Sequence, residues 1–163
     1  MGRRKRNYLC KNVKKEDENM EQKLITFFEK VNQFYKEAIS LDGSPKDKMD
    51  YLINKMNVLL TSDEYEIRRA YDNKVLKTIP FIDSIEEYQL THITHMGKEI
   101  PLDERIEGIV FHAFVLFDGD SSLNNFERII VVDKKSKTCL IERNEFIELH
   151  DKWCEYLNNK EGE

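Results

Sequence analysis

Glycine and proline are scarce in this chain, with six and three copies among 163 residues. That scarcity excludes an architecture of many tight turns or long permissive loops and leaves most of the chain for regular structure. No run approaches the roughly 18 apolar residues that a membrane-spanning helix needs. The basic N-terminus is followed by no apolar core of a secretory signal, and Arg6 stands where N-myristoylation would want Ser or Thr. Cysteine is also sparse: Cys10, Cys139 and Cys154 form no Cys-x-x-Cys pair and are odd in number, so they cannot all pair within one chain. These absences predict a cytoplasmic protein that stays reduced and touches no membrane. The P-loop, the glycine-rich dinucleotide turn, the nucleophile elbow and the His-Glu-x-x-His helix are missing as well. The sequence therefore assigns no catalytic residue, cofactor or metal.

What is present is charge, at 35% of residues, beside a 40% hydrophobic content sufficient for one core. The formal net charge of −5 is unevenly spread. Residues 1–15 hold seven of the 26 basic side chains and none of the 31 acidic ones, leaving 19 against 31 and a net charge of −12 over the rest. A field of that sign repels nucleic acid and favours a basic partner. The chain thus divides into a basic arm, residues 1–19, that lacks periodicity and is expected to be disordered, and a single domain over residues 20–163.

Periodicity gives the elements. From Glu21 to Leu41 the apolar residues Leu24, Phe27, Phe28, Val31, Phe34, Tyr35, Ala38 and Leu41 recur every three or four positions, the mark of a one-sided helix. Asp42-Gly43 ends it, and Ser44-Pro45-Lys46-Asp47 starts a second helix that turns Met49, Leu52, Ile53, Met56, Leu59 and Leu60 inward. A third helix is predicted from Asp63 to Leu76, with Ile67, Ala70, Tyr71 and Val75 on its face. Strands are predicted at Tyr88–Met96, at Ile109–Phe117 as the buried centre of the sheet, and at Arg128–Asp133 and Thr138–Glu142 as a hairpin. Asn144 is expected to cap a last helix carrying Phe146, Leu149, Trp153 and Leu157. Helices followed by strands give an α+β fold: an N-terminal helical hairpin plus third helix, an antiparallel sheet of about four strands, and a C-terminal amphipathic helix.

Each candidate site meets a plainer explanation. His92 and His95 stand three apart, and on a strand they point to opposite sides and share no ion. His112, inside the most apolar run, reads as a core histidine, with a pocket beside it as the alternative. His150 and Cys154 share a helical face but find no second ligand pair. Asp118 to Glu127 resembles a calcium loop until its sixth and twelfth positions, which are Leu123 and Ile129 instead of glycine and an acid. Acids such as Glu86, Glu87, Asp103 and Glu104 are too numerous to single out.

The leading functional expectation is a small acidic protein of inhibitor, immunity or adaptor type that binds a basic protein partner. An acidic rim would surround aromatic anchors drawn from Tyr51, Tyr65, Tyr71 and Tyr88. The alternatives are a ligand-binding or enzymatic domain with its pocket near His112, and nucleic-acid binding through Arg3, Arg4, Lys5 and Arg6. A sheet apolar on both faces would also leave room for a homodimer.

Overall fold

The computed structural model describes residues 10–141 and 147–161, with side chains from residue 20 onward. Helix α1 (Cys10–Ser40) and helix α2 (Pro45–Leu60) form the expected hairpin. Leu24, Phe27, Phe28, Val31 and Ala38 are buried along α1, and all six inward positions predicted for α2 are buried. The start of α2 is fixed chemically: the Asp47 N–H donates to Ser44 Oγ at 3.1 Å while the Ser44 N–H donates to Asp47 Oδ2 at 3.1 Å, a reciprocal capping box with Pro45 behind it. Because α1 begins at Cys10, residues 10–19 of the predicted arm are helical backbone; Arg3, Arg4, Lys5 and Arg6 lie outside the described residues.

The expected third helix is instead a β-hairpin, β1 (Tyr65–Arg69) and β2 (Lys74–Leu76). Tyr65 and Ile67 alternate inward with period two, and Asn73 takes the left-handed conformation (φ 61°) that asparagine tolerates in a turn. The hydroxyl cluster at Thr61 and Ser62 closes α2 instead of opening a helix: the Ser62 hydroxyl donates back to Leu59 O at 2.7 Å.

Two predicted strands are helical. Helix α3 (Ile82–Thr91) takes the first four residues of the predicted Tyr88–Met96 strand, and only Thr94–His95 remains extended, as β3 paired with β4 (Lys98–Glu99). Ile109–Phe117 is the second half of helix α4 (Leu102–Phe117), whose Ile106, Ile109, Val110, Ala113, Phe114 and Phe117 are all buried. An eight-of-nine apolar run satisfies either period, and tertiary burial on nearly every side selects the helix. The argument for a second copy covering a two-sided sheet loses its basis.

The predicted C-terminal pair of strands stands as β5 (Ile129–Asp133) and a shorter β6 (Thr138–Cys139), with Glu142, the expected end of the second strand, outside the described residues; the last helix is α5 (Leu149–Glu161). Asn144 and Phe146, its proposed cap and first apolar position, lie outside the described residues. The protein is α+β: five helices among the described residues pack with an antiparallel sheet of order β2-β1-β5-β6. Tyr65 faces Asp133 and Ile67 faces Val131 in the central register, placing Tyr65, Ile67, Ile129 and Val131 on the buried face. The core aromatics meet around Phe28, whose ring lies 5.4 Å from Trp153, 5.6 Å from Tyr156 and 5.9 Å from Phe114. Among the described residues no helix is long and apolar enough to cross a membrane.

Candidate functional site

Helix α3 begins and ends unusually. Phe81, its N-cap residue, is left-handed at φ 59° and 46% exposed. At the other end the His92 N–H donates to Tyr88 O at 2.8 Å and the chain turns into the two-stranded ribbon. Thr94 pairs with Glu99 and His95 with Lys98, so Met96 (φ 52°) and Gly97 (φ 78°) form a two-residue turn with both central residues left-handed. Glycine suits that geometry and methionine does not, yet Met96 stands there 89% exposed. Ile93 and Tyr88, 48% and 49% exposed, lie on the same end of α3. Residues 81–104 carry six acidic side chains and one basic one, Lys98, so these apolar groups sit in a negative setting.

The histidines do not diverge as a strand would make them. With Tyr88 to Thr91 helical and the ribbon turning back, the His92 and His95 ring centres stand 6.5 Å apart. His92 stacks on Tyr88 at 4.9 Å, Tyr88 meets His112 edge-on at 5.8 Å, and Phe111 bridges His112 at 5.4 Å to His150 at 5.6 Å. All four histidines therefore belong to one chain of rings drawn from three helices and the ribbon. His112 is half-buried and burial pulls its pKa down, which favours the neutral imidazole.

At the far end of that chain of rings lies a knot of carboxylates. Asp118, buried just past α4, accepts from the Leu149 N–H at 2.8 Å, the His150 N–H at 2.9 Å and His150 Nδ1 at 2.7 Å, and so caps the positive end of α5 from a distant segment. The same Nδ1 lies 3.3 Å from Glu148 and 4.0 Å from Asp120, and Nε2 lies 3.4 Å from Asp151. Sharing a hydrogen bond with Asp120 pushes the Glu148 pKa up to about 7, with partial burial and repulsion from Asp120 and Asp118 adding to the effect. Among the described residues Asp118, Asp120, Glu148 and His150 form the one group of three or more with metal-ligand spacing, all within 4.8 Å of one another. Chemically the knot can hold a proton between Glu148 and Asp120. The Asp118–Glu127 segment thus has no calcium-loop pattern but does supply two of the four members. The other two come from about 30 residues downstream, a proximity that no sequence spacing signals. Cys154, the predicted companion of His150, is not in the group.

The remaining anchors scatter. Tyr65 is 4% exposed and packs edge-on against Phe27 at 5.2 Å, so it offers nothing to a partner. Tyr51 is half-buried and donates to Glu37 at 3.0 Å. Tyr71 is exposed on the β1–β2 turn beneath Arg69, and Tyr88 alone joins the α3 surface. A cleft of about 330 Å³ opens where Leu60, Tyr65, Leu76, Lys77 and Lys134 meet, and His112 is not part of its wall. Compared with protein-family models, with curated proteins and with solved structures, the chain matches none.

Proposed function

We propose that this protein acts by binding a basic protein partner through the surface made by Phe81, Tyr88, Ile93 and Met96 at the two ends of α3. The observation that carries this reading is the pairing of strain with exposure. Phe81 and Met96 both hold left-handed backbones, and neither recovers the cost by burying its side chain. A bulky residue in that conformation costs on the order of 1 kcal/mol or more, whereas burying a large apolar side chain against a partner gains about 1.5–3 kcal/mol. Asp83, Glu87, Glu99, Asp103 and Glu104, all exposed on the same segment, supply an acidic rim. Such a rim speeds encounter with a basic surface and disfavours acidic competitors.

The test is site-specific photo-crosslinking. A benzoylphenylalanine at position 96 should capture a discrete partner in low salt, lose it as salt rises, and lose it when Tyr88 and Ile93 are both changed to alanine. The same probe at position 75, on the exposed edge strand β2, should capture nothing comparable. Equal capture from both positions, or indifference to the double substitution, overturns the reading.

A further inference from the structure

We propose that His92 and His95 bind a copper ion at the C-terminal end of α3, with Met96, the residue after His95, swinging its exposed thioether in as a third ligand. The inference goes beyond partner binding and stands without it. Two imidazoles gripping one ion at metal–nitrogen distances of about 2.0–2.1 Å bring their ring centres to roughly 5–6.5 Å, the larger value at a linear angle. The observed 6.5 Å lies at that near-linear limit, a separation one ion can span once a nitrogen of each ring turns toward it. Both side chains are available: among the described residues neither ring makes a hydrogen bond or ion pair, only ring contacts, whereas His150 is fully engaged with carboxylates.

Placement favours a cation. His92 caps the negative end of the α3 dipole, and the segment's acids outnumber its single base. The charged residues nearest in sequence are Glu87 on α3 and Lys98 and Glu99 on β4; in the ribbon Lys98 pairs with His95 and Glu99 with Thr94. The choice of copper comes from the donors. Imidazole alone serves zinc, copper or nickel, but a soft thioether donor favours copper as Cu⁺. The thioether of Met96 is almost wholly exposed on the very next residue after His95, and Lys98 opposite His95 is the one nearby base on the ribbon, so removing its charge should tighten binding.

The experiment uses the full chain with Cys10, Cys139 and Cys154 changed to serine, so that no thiol competes, and titrates Cu⁺ anaerobically against a chromophoric chelator. One equivalent should bind; His92→Ala with His95→Ala should weaken it by at least thirtyfold, Met96→Leu by about tenfold, and Lys98→Gln should strengthen it. Asp120→Asn with Glu148→Gln should leave it unchanged. Ring-proton NMR of the same cysteine-free chain, with both histidines and Met96 intact, supplies a second readout: His92 and His95 signals should shift while those of His112 and His150 hold. No stoichiometric binding, an equivalent that survives loss of both histidines, or shifts centred on His150 overturns the site. Unchanged affinity in Met96→Leu removes the thioether from the proposed ligand set and overturns the site as stated. The crosslinking at position 96 is done without metal, so either proposal can fail alone.

Discussion

Glu148 and Glu107 are carboxyls that hold their protons more firmly in the folded chain than in the unfolded one, and the sign of that difference makes a prediction. The Glu148 pKa is pushed from its ordinary value up to about 7, first by the hydrogen bond shared with Asp120. Between the unfolded and folded pKa values the native state binds more protons, so the stabilisation is complete at low pH and is lost as pH rises through about 7. Urea unfolding should show lower stability at pH 8.5 than at pH 5.5, and Glu148→Gln should flatten that slope; a slope unchanged by the substitution would place the titration elsewhere. Glu107 obeys the same sign, raised by burial although the Trp153 Nε1–H donates to it at 2.7 Å and pulls the other way. Trp153 is the only tryptophan in the chain. Its fluorescence should therefore report the ionisation of Glu107 as a step that vanishes in Glu107→Gln. Neither environment was legible beforehand: 31 acids are interchangeable on paper, and what distinguishes Glu148, Glu107 and the buried Glu86 is which segments fold over them.

At the level of the element, local chemistry and tertiary burial divide what the sequence could reveal. The α1–α2 hairpin was legible because periodicity and capping agree, and the cap can be measured. Ser44→Ala removes one half of the capping box, leaves the Asp47 N–H without its acceptor, and should lower stability by about 1 kcal/mol with little change in denaturant sensitivity. Where local signals conflict, tertiary burial decides the element. Tyr65 to Leu76 offers Ile67, Ala70 and Tyr71 at helical spacing, yet the alternation of Tyr65 with Ile67 and the turn at Asp72-Asn73 decide for a hairpin against β5. Phe111 to Phe117 could serve a strand, but counting back to Ile106 and Leu102, with Asp103 and Glu104 in the first turn, reveals the helix. The Thr and Ile of the Tyr88–Met96 segment raise β propensity, and the packing of Ile82, Ile85, Glu86 and Gln89 on one side overrides it. That same override brings the His92 and His95 rings to 6.5 Å, where a continuous strand would have sent them to opposite faces.

For the whole molecule, the fold class survived these errors because it depends on how many apolar faces must be covered rather than on the identity of each one. Two mistaken strands and one mistaken helix exchanged roles, and the α+β layering with an antiparallel sheet of four strands remained. What unites the layers is the aromatic junction on α1. Phe27 reaches Tyr65 of β1, Phe28 reaches Trp153 and Tyr156 of α5, and both reach Phe114 of α4. Helices and sheet thus share one set of contacts, and neither can open without exposing the other's buried face. Phe28, almost wholly buried, is the side chain common to α4 and α5. Replacing it by alanine should cost about 3–5 kcal/mol through lost burial and the cavity left behind, a large share of a small domain's stability. Because the junction spans both layers, the loss should appear as one cooperative transition at lower denaturant, followed identically by Trp153 fluorescence, which senses the helical side, and by far-UV circular dichroism, which senses every element. Two separated transitions, with the fluorescence change leading, would mean that α5 docks as an independent unit and that the sheet keeps its own core.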